Sequence, residues 1–174
     1  IHVAVLGFIR FRPNLLNQFD MVGNNEKEKA RVKNLKDQQA FATPRSWQFL
    51  SRIMDANPPK DVELELYSGT VGEAAAIELN GYLTHYRSLP DLDALIMNPK
   101  NTKVPTNPAT LYALSTGLAA KAKAHNFEAI MTYVNRMPTE FQVLTVKDAF
   151  VRDDTLSGSK VAVAWCVANQ NVVL

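Results

Sequence analysis

Val62-Glu63-Leu64-Glu65-Leu66 is the stretch that decides the fold, because it alternates apolar and acidic residues as a half-buried strand would. No other part of the chain has that period, and a lone strand has no partner to complete its ladder hydrogen bonds. The stretch therefore reads as a helical turn, and the chain as all-α with no substantial sheet.

Outward from it, helical spacing and helix punctuation recur on both sides. Asn57-Pro58-Pro59 ends a helix opened by Thr43 and Pro44, a good N-cap followed by a proline where its missing N–H is harmless. Trp47, Leu50 and Met54 recur at i, i+3 and i+7, which gives that helix a buried face. Nearer the start, Ile1–Arg12 reads as a helix with Val5, Phe8 and Ile9 at helical spacing and Pro13 as its stop, followed by a short helical turn at Asn14–Phe19. Between these elements Gly23–Gln39 is dense in charge and has almost no apolar stripe, so it reads as a solvated loop or exposed helix.

On the other side, Thr70 followed by Glu73 reads as a capping box that opens a helix through Ala74, Ile77, Tyr82, Leu83 and Tyr86, closed by Leu89-Pro90. Asn98–Pro108 holds three prolines and reads as a surface loop and a candidate subdomain hinge. Asn107-Pro108 repeats the cap-then-proline start ahead of Leu111, Leu114 and Leu118. Helices at Phe127–Arg136, from Pro138 to Phe150 and from Ser159 to Asn169 complete a set of about seven.

Composition sets bounds on function. The 174 residues are 47% hydrophobic and 21% charged, enough apolar side chain for a packed core, and the net charge of +2 makes no electrostatic case for nucleic acid or a membrane surface. The longest apolar runs are too short to span a bilayer. A single Cys166 excludes an intrachain disulfide and a cysteine-based zinc cluster, and no signal peptide opens the chain, so a cytoplasmic location is expected. Ile1 is not a start methionine, which suggests a cut within a longer polypeptide.

No complete catalytic constellation is present in the sequence. Ser157-Gly158-Ser159-Lys160 fits a Ser-x-x-Lys pattern but lacks the Ser-Asp-Asn and Lys-Thr-Gly elements that complete that proton relay, so it reads as a loop and helix start. Gly69-Thr70-Val71-Gly72 is followed by Glu73, which would repel phosphate, and no Gly-x-x-x-x-Gly-Lys-Ser/Thr loop occurs. Asp91/Asp93 and Asp153/Asp154 read as caps and solvated charge, since near-adjacent carboxylates do not converge on one proton. His2, His85 and His125 are scattered without metal-ligand spacing, so no metal site is expected. Lys27–Lys36 is basic but interrupted by acids and carries no aromatics for base stacking, which makes a solvated surface the simpler reading.

One segment has a transferable role. Phe41-Ala42-Thr43-Pro44-Arg45-Ser46-Trp47 resembles the sensor-2 motif of MoxR-type AAA+ ATPases, in which Ser/Thr-Pro-Arg opens a lid-domain helix. Thr43 and Pro44 fix the helix start, and Arg45 then sits in the first turn, where its guanidinium could reach a γ-phosphate. His2–Arg12 with Phe11–Asp20, Thr70–Ala75 and Ala164–Asn169 look like stretches that flank the motif in that family. Leu15–Asp20 also resembles an arginine-finger segment, but Gln18 stands at the arginine position and a neutral amide cannot offset transition-state charge. Arg10 and Arg12 are further candidates for a nucleotide or subunit contact, with surface packing the simpler role.

The resemblance implies a division into a lid-like region, 1–57, with the charged insert 23–39, and a C-terminal helical extension, 58–174. It implies ATP and magnesium in a parent protein whose P-loop domain precedes this chain, with neither bound by this chain alone. It further implies a homo-oligomeric ring, a hexamer, that remodels or assembles client proteins, often ones with a von Willebrand A domain. Two alternatives remain open at this level. They are a stand-alone helical protein-interaction module and a DNA-associated phage or replication factor that uses Lys27–Lys36.

Overall fold

A computed structural model describes residues 1–18 and 39–173, and all of their regular structure is helical. The chain forms two compact units, Ile1–His85 and Tyr86–Leu174. The compact boundary at 85–86 groups the two helices after residue 57 with the amino-terminal unit. The 1–57 and 58–174 division concerns function, which packing does not address.

The first unit holds α1 (Val3–Phe11), a 3-10 turn (Pro13–Leu15), α2 (Pro44–Asp55), α3 (Lys60–Val71) and most of α4 (Glu73–Arg87). In α1 the carbonyl of Phe8 accepts the Arg12 N–H, and Pro13 then starts the 3-10 turn, as the proline stop predicts. In α2 Trp47 and Leu50 are buried and Met54 is half-buried. The helix ends where Asn57 takes a left-handed conformation (φ 49°) ahead of Pro58-Pro59. These elements share a core in which Phe8 packs at 5.6 Å from Trp47 and 5.5 Å from Tyr82, both tilted, with Leu50, Tyr67, Leu79 and Leu83 fully enclosed. The Trp47 Nε1–H donates to the Leu15 carbonyl at 2.8 Å, so the one polar atom of that indole is satisfied inside the core.

The stretch that set the fold class is helical, and it extends further than a single turn. Across α3 the buried residues are Glu63, Tyr67 and Val71, one face at a spacing of four, while Leu64 and Leu66 remain 39% and 40% exposed. The apolar alternation therefore does not mark a buried strand face. Thr70 is a correction. It does not cap α4; its hydroxyl donates to the Leu66 carbonyl inside α3, and α3 ends at Gly72. Gly72 has φ 87° and ψ 151°, a region open to glycine alone, and a Cβ there would lie 2.8 Å from the Ala40 oxygen.

The second unit holds α5 (Leu92–Met97), α6 (Pro108–Lys121), α7 (Phe127–Val134), α8 (Thr139–Arg152), a 3-10 turn (Asp154–Gly158), α9 (Lys160–Ala168) and α10 (Gln170–Val173). Its core is built on α6, which packs along α8 and is buried almost all round by Leu111, Leu114, Leu118 and a run of small residues. Asn107 caps α6 by accepting the Thr110 N–H, as its sequence position predicts. Gly117 lets Leu92 approach, since a Cβ would meet Leu92 Cδ1 at 2.8 Å.

Three helices among the described residues are additions to the about seven expected. They are α3, where only a turn was expected, α5, whose six residues are too few for periodicity to register, and the four-residue α10. Asn98–Pro108 is a loop but not a hinge between the units, because both its flanks belong to the second unit. Arg136 donates to the carbonyls of Pro99 and Thr102 at 2.7 and 2.8 Å, and the Tyr133 hydroxyl donates to that of Lys103 at 3.0 Å. Among the described residues no helix is long and apolar enough to cross a membrane.

Candidate functional site

Thr43 is extended and leads into α2, and the hydroxyls of Thr43 and Ser46 at the helix start are both hydrogen-bonded. The Thr43 hydroxyl accepts the Ser46 N–H at 3.1 Å, and the Ser46 hydroxyl accepts the Thr43 N–H at 2.8 Å, a reciprocal capping box with serine in place of the usual glutamate. Ser46 Oγ also lies 3.0 Å from the carbonyls of Phe41 and Thr43. Pro44 has no N–H to satisfy, and the Trp47 N–H reaches the Thr43 carbonyl at 3.0 Å.

This arrangement divides the roles of the three candidate residues. Thr43 has its hydroxyl engaged in the cap, and Pro44 fixes the backbone, so both act on position. Arg45 alone among them presents a charged donor group to solvent. It borders a shallow cleft of about 220 Å³ together with Ala40, Phe41, Phe49, Gly69 and Thr70. Phe49 is 49% exposed there, one helical turn from Arg45, and the guanidinium of Arg52 stands 6.0 Å from its ring centre. An adjoining hollow of about 520 Å³ is lined by Ala40, Gly72 and Glu73 among others.

Two residues that shape this site were not assigned a positioning role from the sequence. Gln18 engages Ala42 twice: its N–H donates to the Ala42 carbonyl at 3.0 Å, and its Oε1 accepts the Ala42 N–H at 3.0 Å. Gly72 supports Ala40 from below by close backbone approach. Neither carries a sequence signal at a fixed offset, because both contacts join segments far apart in the chain.

The remaining sequence candidates fall elsewhere. Arg12 pairs with Glu78 at 2.6 Å, and Arg10 is half-buried on α1. His2 caps α1 through Nδ1, which accepts the Ala4 N–H at 3.2 Å; burial lowers its pKa, opposed by Asp55. Asp91 caps α5 by accepting the Asp93 N–H, and Asp93 pairs with Lys121 at 2.7 Å. Asp153 accepts from Thr155, so it caps the 3-10 turn. Ser157 donates to the Asp154 carbonyl at 2.6 Å and Ser159 caps α9, which accounts for the hydroxyls of the Ser-x-x-Lys match. No group of three or more His, Cys, Asp or Glu among the described residues could hold a metal ion. Lys27–Lys36 and most of the charged insert lie outside the described residues.

No protein-family model, curated protein or solved structure matches the chain.

Proposed function

We propose that the chain is the lid and C-terminal helical region of a MoxR-like AAA+ ATPase, which couples ATP hydrolysis elsewhere in the parent protein to remodelling or assembly of client proteins. The observation that carries this reading is the division of labour at the start of α2. Thr43 and Ser46 close the cap between themselves, Pro44 fixes the first helical residue, and Arg45 is exposed in the first turn at the positive end of the helix. A guanidinium so placed can meet a γ-phosphate by charge-assisted hydrogen bonds, which are stronger than neutral ones. The nucleotide and its magnesium would be held by a preceding P-loop domain, and lid rotation would relay turnover around a hexameric ring. A client of von Willebrand A type is part of the same proposal.

The test of the parent is the intact mass of the protein as its native host makes it, with peptide mapping upstream of Ile1. The reading expects a mass well above 19.4 kDa and an upstream Gly-x-x-x-x-Gly-Lys-Ser/Thr peptide. A native mass near 19.4 kDa would remove it.

A second reading, a helical protein-interaction module with no nucleotide role, is favoured by one observation in the second unit. There α9 leaves Val163 and Val167 52% and 64% exposed, beside a groove lined by Asn135, Val161, Ala164 and Trp165. That reading expects Arg45→Ala to leave ATP turnover of the full-length protein untouched. The reading as a DNA-associated factor expects binding that falls steeply with salt.

A further inference from the structure

We propose that Gln18 is a positioning residue for Arg45, and that it acts by fixing the segment from which α2 starts. This inference rests on the reading of Arg45 as a γ-phosphate sensor.

Gln18 and Ala42 are 24 residues apart in sequence, yet they exchange a pair of hydrogen bonds, both at 3.0 Å. Two such bonds between two residues normally come from two backbones in an antiparallel bridge. Here the Gln18 side chain supplies the acceptor that a second backbone carbonyl would provide. The Ala42 side chain is itself fully buried, so the segment is held on its apolar side as well. Next in the chain comes Thr43, whose φ of −143° and ψ of 163° set the direction in which α2 departs. A shift of Ala42 is therefore passed through Thr43 to the first turn and to Arg45. Ala40, two residues before Ala42, is seated against Gly72 with no room for even a Cβ. Gln18 and Gly72 thus grip the segment from separate parts of the chain, and Gln18 does so with a group that can be removed without opening a cavity in the core.

The chemistry of the grip predicts how variants behave. Only the side-chain bond depends on residue type, because the Gln18 N–H donates whatever its side chain is. Glutamate keeps an acceptor oxygen at the same reach, whereas leucine keeps the bulk and loses the acceptor. Misplacing a catalytic group by a fraction of an ångström to an ångström costs rate more than binding when its contact forms in the transition state.

The experiment is a double-mutant cycle on ATP turnover by the full-length protein, with Gln18→Leu, Arg45→Ala, the double variant, and Gln18→Glu as the rescue. The expected result is that Gln18→Leu lowers kcat by roughly three- to tenfold, the worth of about one neutral hydrogen bond, with KM within about twofold. Gln18→Glu should restore most of the rate, and Gln18→Leu should cost nothing further once Arg45 is alanine. A loss that simply multiplies with that of Arg45→Ala, or one that glutamate does not rescue, would assign Gln18 to general stability and overturn the inference. If Gln18→Leu leaves kcat unchanged while Arg45→Ala lowers it, Gln18 positions nothing and the sensor reading survives. If Arg45→Ala itself has no effect, the sensor reading fails and the inference fails with it. Amide exchange provides a readout independent of turnover. Gln18→Leu should speed exchange at Ala42 while leaving Leu50 and Leu79 protected, and equal protection at Ala42 in both proteins would refute the grip.

Discussion

At the residue scale, one glycine and one arginine carry the account for opposite reasons. Gly72 joins α3 to α4 in a backbone conformation that a side chain rarely adopts, and its α-carbon faces the Ala40 carbonyl at a distance that excludes a Cβ. Gly72→Ala should destabilise the first unit by about 1–3 kcal/mol, seen as a lower midpoint in chemical denaturation. An unchanged midpoint would mean that the junction relaxes without strain. The sequence signalled little of this, since a glycine between two helical patterns is equally compatible with an ordinary C-cap. Arg45 is different: its placement in the first turn was legible from Thr43-Pro44, because capping is local chemistry acting over four residues. What its guanidinium meets is not local, and no capping rule supplies it.

At the scale of elements, caps and prolines were the legible part. The starts of α2 and α6 and the ends of α1 and α2 sit where Thr43-Pro44, Asn107-Pro108, Pro13 and Asn57-Pro58-Pro59 put them. The helical turn read at Val62–Leu66 is right in kind and short in length, whereas the Thr70–Glu73 capping box fails. Both are short patterns that also fit other structures, and tertiary contact decides between them. Once Tyr67 and Val71 were buried, α3 had to continue through Thr70. Removing the reciprocal cap by Thr43→Ala should cost about 1 kcal/mol, measured in the same denaturation experiment, and Ser46→Ala a similar amount. A neutral result for both would show that the cap adds nothing beyond Pro44.

The α1 cap should also depend on pH. The neutral His2 imidazole accepts the Ala4 N–H, and burial lowers its pKa below the ordinary 6.5, opposed by the Asp55 carboxylate. A base with a lowered folded pKa binds its proton more readily when unfolded. Its contribution to stability is therefore complete above about pH 6.5 and is lost as the pH falls below that value. His2→Asn, which keeps a capping oxygen, should remove this part of the pH dependence. The same slope in both proteins between pH 7 and about pH 5 would assign it to other groups.

At the scale of the whole molecule, each of the two units has its own core and its own tryptophan, Trp47 in the first and Trp165 in the second. Leu118→Ala removes a fully buried side chain of the second core and should cost about 2–5 kcal/mol. Single-tryptophan variants should report that loss at Trp165 and leave the midpoint at Trp47 in place, whereas equal shifts at both would mean one cooperative transition. That the regular structure of the described residues is all helical followed from the sequence, because helix periods and caps repeat along it. The grouping of α3 and α4 with α1 and α2 did not follow, because it depends on which apolar faces meet, and Phe8, Trp47 and Tyr82 come from three separate helices.

The central claim is that Arg45 reads the γ-phosphate for an ATPase of which this chain is one part. Its most direct test is ATP hydrolysis by the full-length protein beside its Arg45→Ala variant, with the helical content of both checked by circular dichroism. The account predicts that the variant folds normally and turns over ATP about ten- to a hundredfold more slowly, the worth of a charge-assisted hydrogen bond of roughly 1.5–3 kcal/mol. Equal turnover by the two proteins would contradict it and leave the helical interaction module in its place.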